Sequence, residues 1–167
     1  GPGDYRVFVD PLIIPPRIVP PPPPPGPLQS MYVKAIRLGS ADILSQGLHI
    51  DGPLEGQLEV FIGKAGEVGG RVIDVRQQPV VNVTVAAVPE ASMRGRPDLY
   101  KKTRTDSSGR FRLFGIAPGD YKLFSWEQVE EGIWLDADFL RPLESRGKPV
   151  RVNEGRIENV DVTVIAR

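Results

Sequence analysis

The sequence predicts an all-β fold, a β-sandwich of short strands. Three observations carry that reading. Runs of alternating apolar residues recur about every 8–12 residues, the spacing of sandwich and barrel strands. The 167 residues include 18 Gly and 18 Pro, and those outside one proline-rich segment fall mostly between the runs, where turns need them. The N-terminal part of the chain also recurs, in the same order, in its C-terminal part.

Taken in order, Tyr32–Leu38 alternates, with Lys34 and Arg37 as polar interruptions, and Leu58–Ile62 alternates less cleanly. Gly70–Val75 ends at Gln77-Gln78-Pro79, a turn. Val81–Val88 is the clearest half-buried strand, with Val81, Val83 and Val85 predicted on one face. Thr103-Arg104-Thr105 leads into Asp106-Ser107-Ser108-Gly109, a β-turn in which Asp bonds the backbone and Gly accepts positive φ. Arg110–Phe114 is expected to return as the hairpin partner, and Tyr121–Trp126, Val150–Val152 and Val160–Ile165 complete the set. Two short helical turns are expected. One is capped by Ser40 over Ala41–Leu44 and stopped by Gly47; the other is capped by Asp136, begins at Ala137 and stops at Gly147, with Pro142 against its length.

Ten of the eighteen prolines lie in residues 11–27. The run Pro20–Pro25 lacks backbone donors and has φ held near −65°, so it is expected to form a polyproline II rod of about 19 Å, at ~3.1 Å per residue. Three roles fit it: a spacer, a ligand for an aromatic groove, or an arm packed on a sandwich. Ile13, Ile14, Ile18 and Val19 flank the run and suit the third role better than a fully solvated linker would.

The self-similarity sets the domain organisation. Gly3-Asp4-Tyr5-Arg6-Val7-Phe8 reads against Gly119-Asp120-Tyr121-Lys122-Leu123-Phe124, Ala41–Leu44 against Ala137–Leu140, and Leu58–Ile62 against Val160–Ile165. Residues 1–64 therefore read as the C-terminal half of one repeat, interrupted by the proline segment 15–27, and residues 67–167 as a whole repeat. A half sandwich leaves an apolar face and open edges. It has to pack on the second repeat, on further polypeptide or on another molecule.

Composition narrows the chemistry. Twenty-one basic residues balance 21 acidic ones, so bulk charge does not draw the chain to nucleic acid or an anionic membrane. The absence of Cys removes thiol catalysis, disulfides and Cys-ligated zinc, and a single His removes His-cluster metal sites. No apolar run is long enough to span a membrane as a helix, and no signal peptide is visible. His49 lies in a short apolar stretch and reads as structural. No nucleophile elbow, phosphate loop or zinc-protease helix motif is present. Glu127, Glu130 and Glu131, and Asp136 with Asp138, read as solvated acidic loops, and neither these nor Asp106 has calcium-loop spacing. Asn82-Val83-Thr84 has the N-glycosylation pattern but is placed mid-strand, as a chance match.

Residues 67–167 resemble the carboxypeptidase regulatory-like domains, a transthyretin-like (prealbumin-like) sandwich. The carrying residues are Gly70–Asp74, Pro79–Val85, Thr105–Phe111 and Gly115–Leu123, in that order. The resemblance implies a seven-stranded Greek-key sandwich related to carbohydrate-binding-like folds. It also implies an accessory domain of bacterial extracytoplasmic proteins (cell-surface, secreted or periplasmic), with no catalytic residues and no cofactor. The expected function is a structural or assembly module, a fibre subunit joined by strand complementation being one form of it. Its partners would be neighbouring repeats or identical subunits. The alternative is a carbohydrate-binding module with a glycan partner. The resemblance implies that Tyr121 and Leu123 lie in the core, and alternation along Tyr121–Trp126 then puts Phe124 and Trp126 on the opposite face. Phe124, Trp126, Trp134, Tyr100 and Phe8 are therefore the expected interface or glycan-contact residues.

Overall fold

The computed structural model describes residues 3–6, 30–52 and 56–166. An N-terminal unit contains β1 (Gly3–Tyr5), β2 (Met31–Leu38), β3 (Ala41–Asp42), α1 (Ile43–Gln46), β4 (Leu48–Ile50) and β5 (Leu58–Lys64). β1 pairs antiparallel with β4, and β2 lies between β3 and β5, antiparallel to both. One residue, Ala65, separates β5 from β6 (Gly66–Ile73), so the polypeptide runs almost as a single strand from Leu58 into the sandwich.

The sandwich consists of β6, β7 (Thr84–Pro89), β8 (Lys101–Arg104), β9 (Arg110–Ile116), β10 (Gly119–Trp126), β11 (Lys148–Val152), β12 (Ile157–Asn159) and β13 (Val162–Thr163). The helix α2 (Ala137–Leu140) lies between β10 and β11. One sheet has the order β11-β10-β7-β8, antiparallel throughout. The other is centred on β6, with β9 antiparallel on one edge and β12 and β13 parallel on the other. Counting β12 and β13 as one interrupted strand gives the seven strands expected.

Val68 and Val72 of β6, Val85 of β7, Leu113 of β9 and Leu123 of β10 meet between the sheets. Tyr121 joins them. Its hydroxyl donates to the Ala117 carbonyl at 2.9 Å, which satisfies the one polar atom it brings inside, and burial pushes its pKa far above the ordinary tyrosine value. A second core lies on the outer face of the β7–β10 sheet. There Ala86, Val88, Phe124 and Trp126 pack against Trp134, Leu140 and Ile165. β7 is thus buried on both faces, not half-buried.

Five local expectations need correction. Val81 is half-exposed, because Asn82 turns left-handed (φ 56°) and strand pairing of β7 begins only at Thr84. For the same reason Asn82 of the sequon is exposed at a bend ahead of β7, which begins at Thr84, and is not mid-strand. β8 and β9 are not hairpin partners: β8 pairs with β7 and β9 with β6, so the Asp106 turn is a corner between the two sheets. Asp106 Oδ1 accepts from the amides of Ser108 (2.8 Å) and Arg110 (2.9 Å), and these bonds hold its carboxyl below the usual aspartate range. Asp42, not Ser40, caps α1, accepting from the Leu44 amide at 3.1 Å, with Gly47 as the stop. Asp136 caps α2 as expected, but the helix ends at Leu140, where a 3₁₀ turn containing Pro142 takes over.

The β1–β4 ladder reproduces part of the β10–β11 ladder. Gly3 pairs with Ile50, Asp4 with His49 and Tyr5 with Leu48; likewise Gly119 pairs with Val152, Asp120 with Arg151 and Tyr121 with Val150. The leading glycines have the same backbone angle, φ 157° and 158°.

Candidate functional site

Phe124 and Trp126 do lie on the face of β10 opposite Tyr121 and Leu123, as alternation requires. The structure corrects what was expected to cover them. The chain's own segment after β10 folds back over that face, and Phe124, Trp126 and Trp134 are all buried beneath or within it. Phe124 and Trp126 stack with ring centroids 5.6 Å apart and planes within 8°; Trp126 and Trp134 follow at 6.4 Å, and Phe139 closes the side of Trp126 at 6.0 Å. Lys102 places its ammonium 5.5 Å from the Trp134 ring centroid and pairs with Glu131. The stack is therefore a core, with no ring face open as a platform for a sugar or a neighbouring subunit. Tyr100 is half-buried against the same core, and burial raises its pKa despite the opposing charge of Arg94. Phe8, Ile13, Ile14, Ile18, Val19 and Pro20–Pro25 lie outside the described residues.

The polar groups form ties between elements. Glu144 receives Lys122 Nζ at 2.8 Å and Arg94 Nη2 at 2.5 Å. Arg96 grips Asp98 with two hydrogen bonds, at 3.1 and 2.6 Å. His49 Nδ1 and Asp4 Oδ1 meet at 2.5 Å across the β1–β4 ladder, and both side chains are largely exposed. Among the described residues no three or more His, Cys, Asp or Glu side chains gather as a metal site.

The surface that the sequence reading did not single out is on β5. Leu58, Val60 and Ile62 are 48%, 42% and 57% exposed. In register, Leu58 opposes Leu38 and Val60 opposes Ile36, so one apolar face spans β2 and β5. α1 packs on β2, where Ile36 and Ile43 are buried, and leaves the β5 side of that face open. On the opposite face Phe61 is partly shielded by the Arg37 guanidinium, 5.1 Å from its ring centroid. Among the described residues β5 is also an edge strand, paired only with β2. The usable signal lay in the repeat alignment, which matches exposed Leu58, Val60 and Ile62 to Val160, Val162 and Val164 of the sandwich.

Residues 67–128 match the carboxypeptidase regulatory-like domain family. No curated protein sequence matches the chain. Among solved structures the fold is similar to the Bacillus anthracis TIE protein (13% identity, TM-score 0.39, covering 66% of this chain and 20% of that one). It is also similar to GBS52, the minor pilin of Streptococcus agalactiae (15%, 0.40, 70% and 57%). A third similar structure is a candidate carbohydrate-binding protein of Pseudomonas aeruginosa (18%, 0.41, 60% and 89%). The chain thus spans about a fifth of the TIE protein's length.

Proposed function

We propose that this chain, whose residues 67–128 match a carboxypeptidase regulatory-like domain, is a non-catalytic module that holds neighbouring β units of a bacterial extracytoplasmic protein in fixed relation. The observation that carries the reading is the junction at Ala65. A flexible tether between units is normally several exposed polar or glycine-rich residues. Here the connection is one buried residue whose amide donates to the Ser30 carbonyl at 2.8 Å. Tyr32 of β2 packs against the sandwich core, and Arg6 Nη1 donates to the Gly95 carbonyl at 2.9 Å, so contacts on both sides of the junction oppose bending. The carbohydrate-binding alternative drew on Trp126, Trp134, Tyr100 and Phe124; three of these are buried and Tyr100 is half-buried against the same core, which removes the aromatic platform it needs.

The test is backbone NMR relaxation on the whole chain. Amides of β2 and β5 should report the same rotational correlation time as those of β7 and β10. Inserting a short Gly-Ser stretch between Ala65 and Gly66 should separate the two values. Two correlation times in the unmodified chain would sink the reading.

A further inference from the structure

We infer that the sandwich is built to resist tension along the polypeptide, through a shear clamp between β6 and the strands β12 and β13. The inference deepens the module reading above by naming the load such a module withstands, and it rests on that reading for its use.

The clamp is the parallel pair in the second sheet. Ile157–Asn159 run alongside Glu67–Gly69, and Val162–Thr163 alongside Val72–Ile73, in the same direction. Every second residue of β6 is tied across. The Glu67 amide donates to the Arg156 carbonyl at 2.9 Å, the Gly69 carbonyl accepts from the Val160 amide at 2.8 Å, and the Ile73 carbonyl accepts from the Val164 amide at 2.9 Å. Between β12 and β13 the strand pairing lapses, and there a side chain completes the series: Asp161 Oδ1 accepts from the Arg71 amide at 3.0 Å.

Strand direction decides how these ties meet a pull. Because the pair is parallel, the chain enters β6 beside Ala65 at one end of the ladder and leaves β13 at Val164 at the other. Tension between those points draws the two strands past each other lengthwise, across hydrogen bonds that run between them. The ties at Glu67, Gly69, Arg71 and Ile73 are then strained together. Had the last strand run antiparallel to β6, entry and exit would lie at one end, and the ties would open one after another.

The ladder is also shielded and anchored. Val68, Val72 and Val162 are fully buried on its inner side, so water has no access there to replace a stretched bond. Gly70 lies so close to Val160 that an added Cβ would sit 1.9 Å from its carbonyl oxygen, which leaves no room for water between the two chains. Beyond β13, Ile165 is bound to the other sheet: its amide donates to the Ser125 carbonyl at 2.7 Å, and its carbonyl accepts from the Glu127 amide at 3.4 Å. On its second edge β6 pairs with β9, so it is held from both sides.

The chain has no Cys, so two introduced cysteines define where pulling handles attach to the full-length protein. One form carries Lys64→Cys and Ala166→Cys, at opposite ends of the ladder. The other carries Arg76→Cys and Ala166→Cys, at the same end, Arg76 lying in the turn after β6; all three positions are exposed. Both forms are unfolded in optical tweezers at one pulling rate. The first should rupture at a force about twofold or more above the second, because forced unfolding follows the barrier along the pulled direction. Asp161→Ala added to the first form should lower its force toward that of the second. Equal forces in the two forms overturn the inference. So does a force that Asp161→Ala leaves unchanged, since the barrier then lies outside this ladder. Weak rupture with a single correlation time in the unmodified chain overturns the clamp alone, and strong rupture with two correlation times overturns the fixed junction alone.

Discussion

Leu123 and Phe124 are neighbours on β10, both fully buried, and they belong to different cores. A strand directs successive side chains to opposite faces, so a sheet buried on one side only would leave Phe124 and Trp126 in water. They are dry because Trp134, Phe139, Leu140 and Leu143 come back over them. Removing a fully buried aromatic ring deletes its transfer free energy and leaves a cavity. Phe124→Ser and Trp126→Ser should therefore each cost about 3–5 kcal/mol in urea unfolding of the whole chain. Wild-type stability in either variant would mean that the segment after β10 does not pack on this face.

At the scale of an element, β6 depends on being narrow where the C-terminal strand crosses it. A Cβ on Gly70 would lie 1.9 Å from the Val160 carbonyl oxygen and 2.7 Å from its carbonyl carbon, both backbone atoms with little freedom to move. The link between β12 and β13 would have to lift, which strains the Val160 amide bond to the Gly69 carbonyl (2.8 Å). Gly70→Ala should destabilise the sandwich by about 1–3 kcal/mol or more, the range for overpacking. At Gly95 an added Cβ meets nothing within 4 Å, so Gly95→Ala is the matched control and should be near neutral. Calorimetric melting of the two variants gives the comparison; equal midpoints would count against the close crossing.

Across the whole sandwich, Glu144 ties the loop after β7 to β10 and to the segment leading into β11. Burial pushes its carboxyl upward, but the hydrogen bonds from Lys122 and Arg94, helped by their charges, outweigh this and hold it below the ordinary glutamate value. A carboxylate whose pKa is lower folded than unfolded adds stability above its unfolded pKa. That contribution is lost as pH falls through the folded value. Glu144→Gln should therefore lower the melting temperature at about pH 7, and the gap to wild type should close as pH falls toward about 3. A gap that stays constant over that range would show that the Glu144 ion pairs contribute nothing to acid sensitivity.

Local patterns in the sequence determined the all-β class, the strands, the Asp136 cap, the Asp106 turn and the split of Tyr121 from Phe124 across β10. Each depends on a period of two or on the conformational preference of a few adjacent residues, which the chain carries wherever it folds. The internal repeat was legible for the same reason, since Gly3-Asp4-Tyr5 and Gly119-Asp120-Tyr121 enter equivalent ladders with equal backbone angles. Tertiary structure decided what lies against each face. Alternation shows that Phe124 and Trp126 share a side; it does not say that a segment of 3₁₀ turns and one short helix, with no strong period of its own, will cover them. It likewise sent β8 and β9 to different sheets, although their intervening turn reads as a hairpin. It left Leu58, Val60 and Ile62 exposed where their counterparts at Val160, Val162 and Val164 are partly or fully buried. Burial is a property of contacts between distant residues, and identical apolar patterns acquire it only where a covering layer is present.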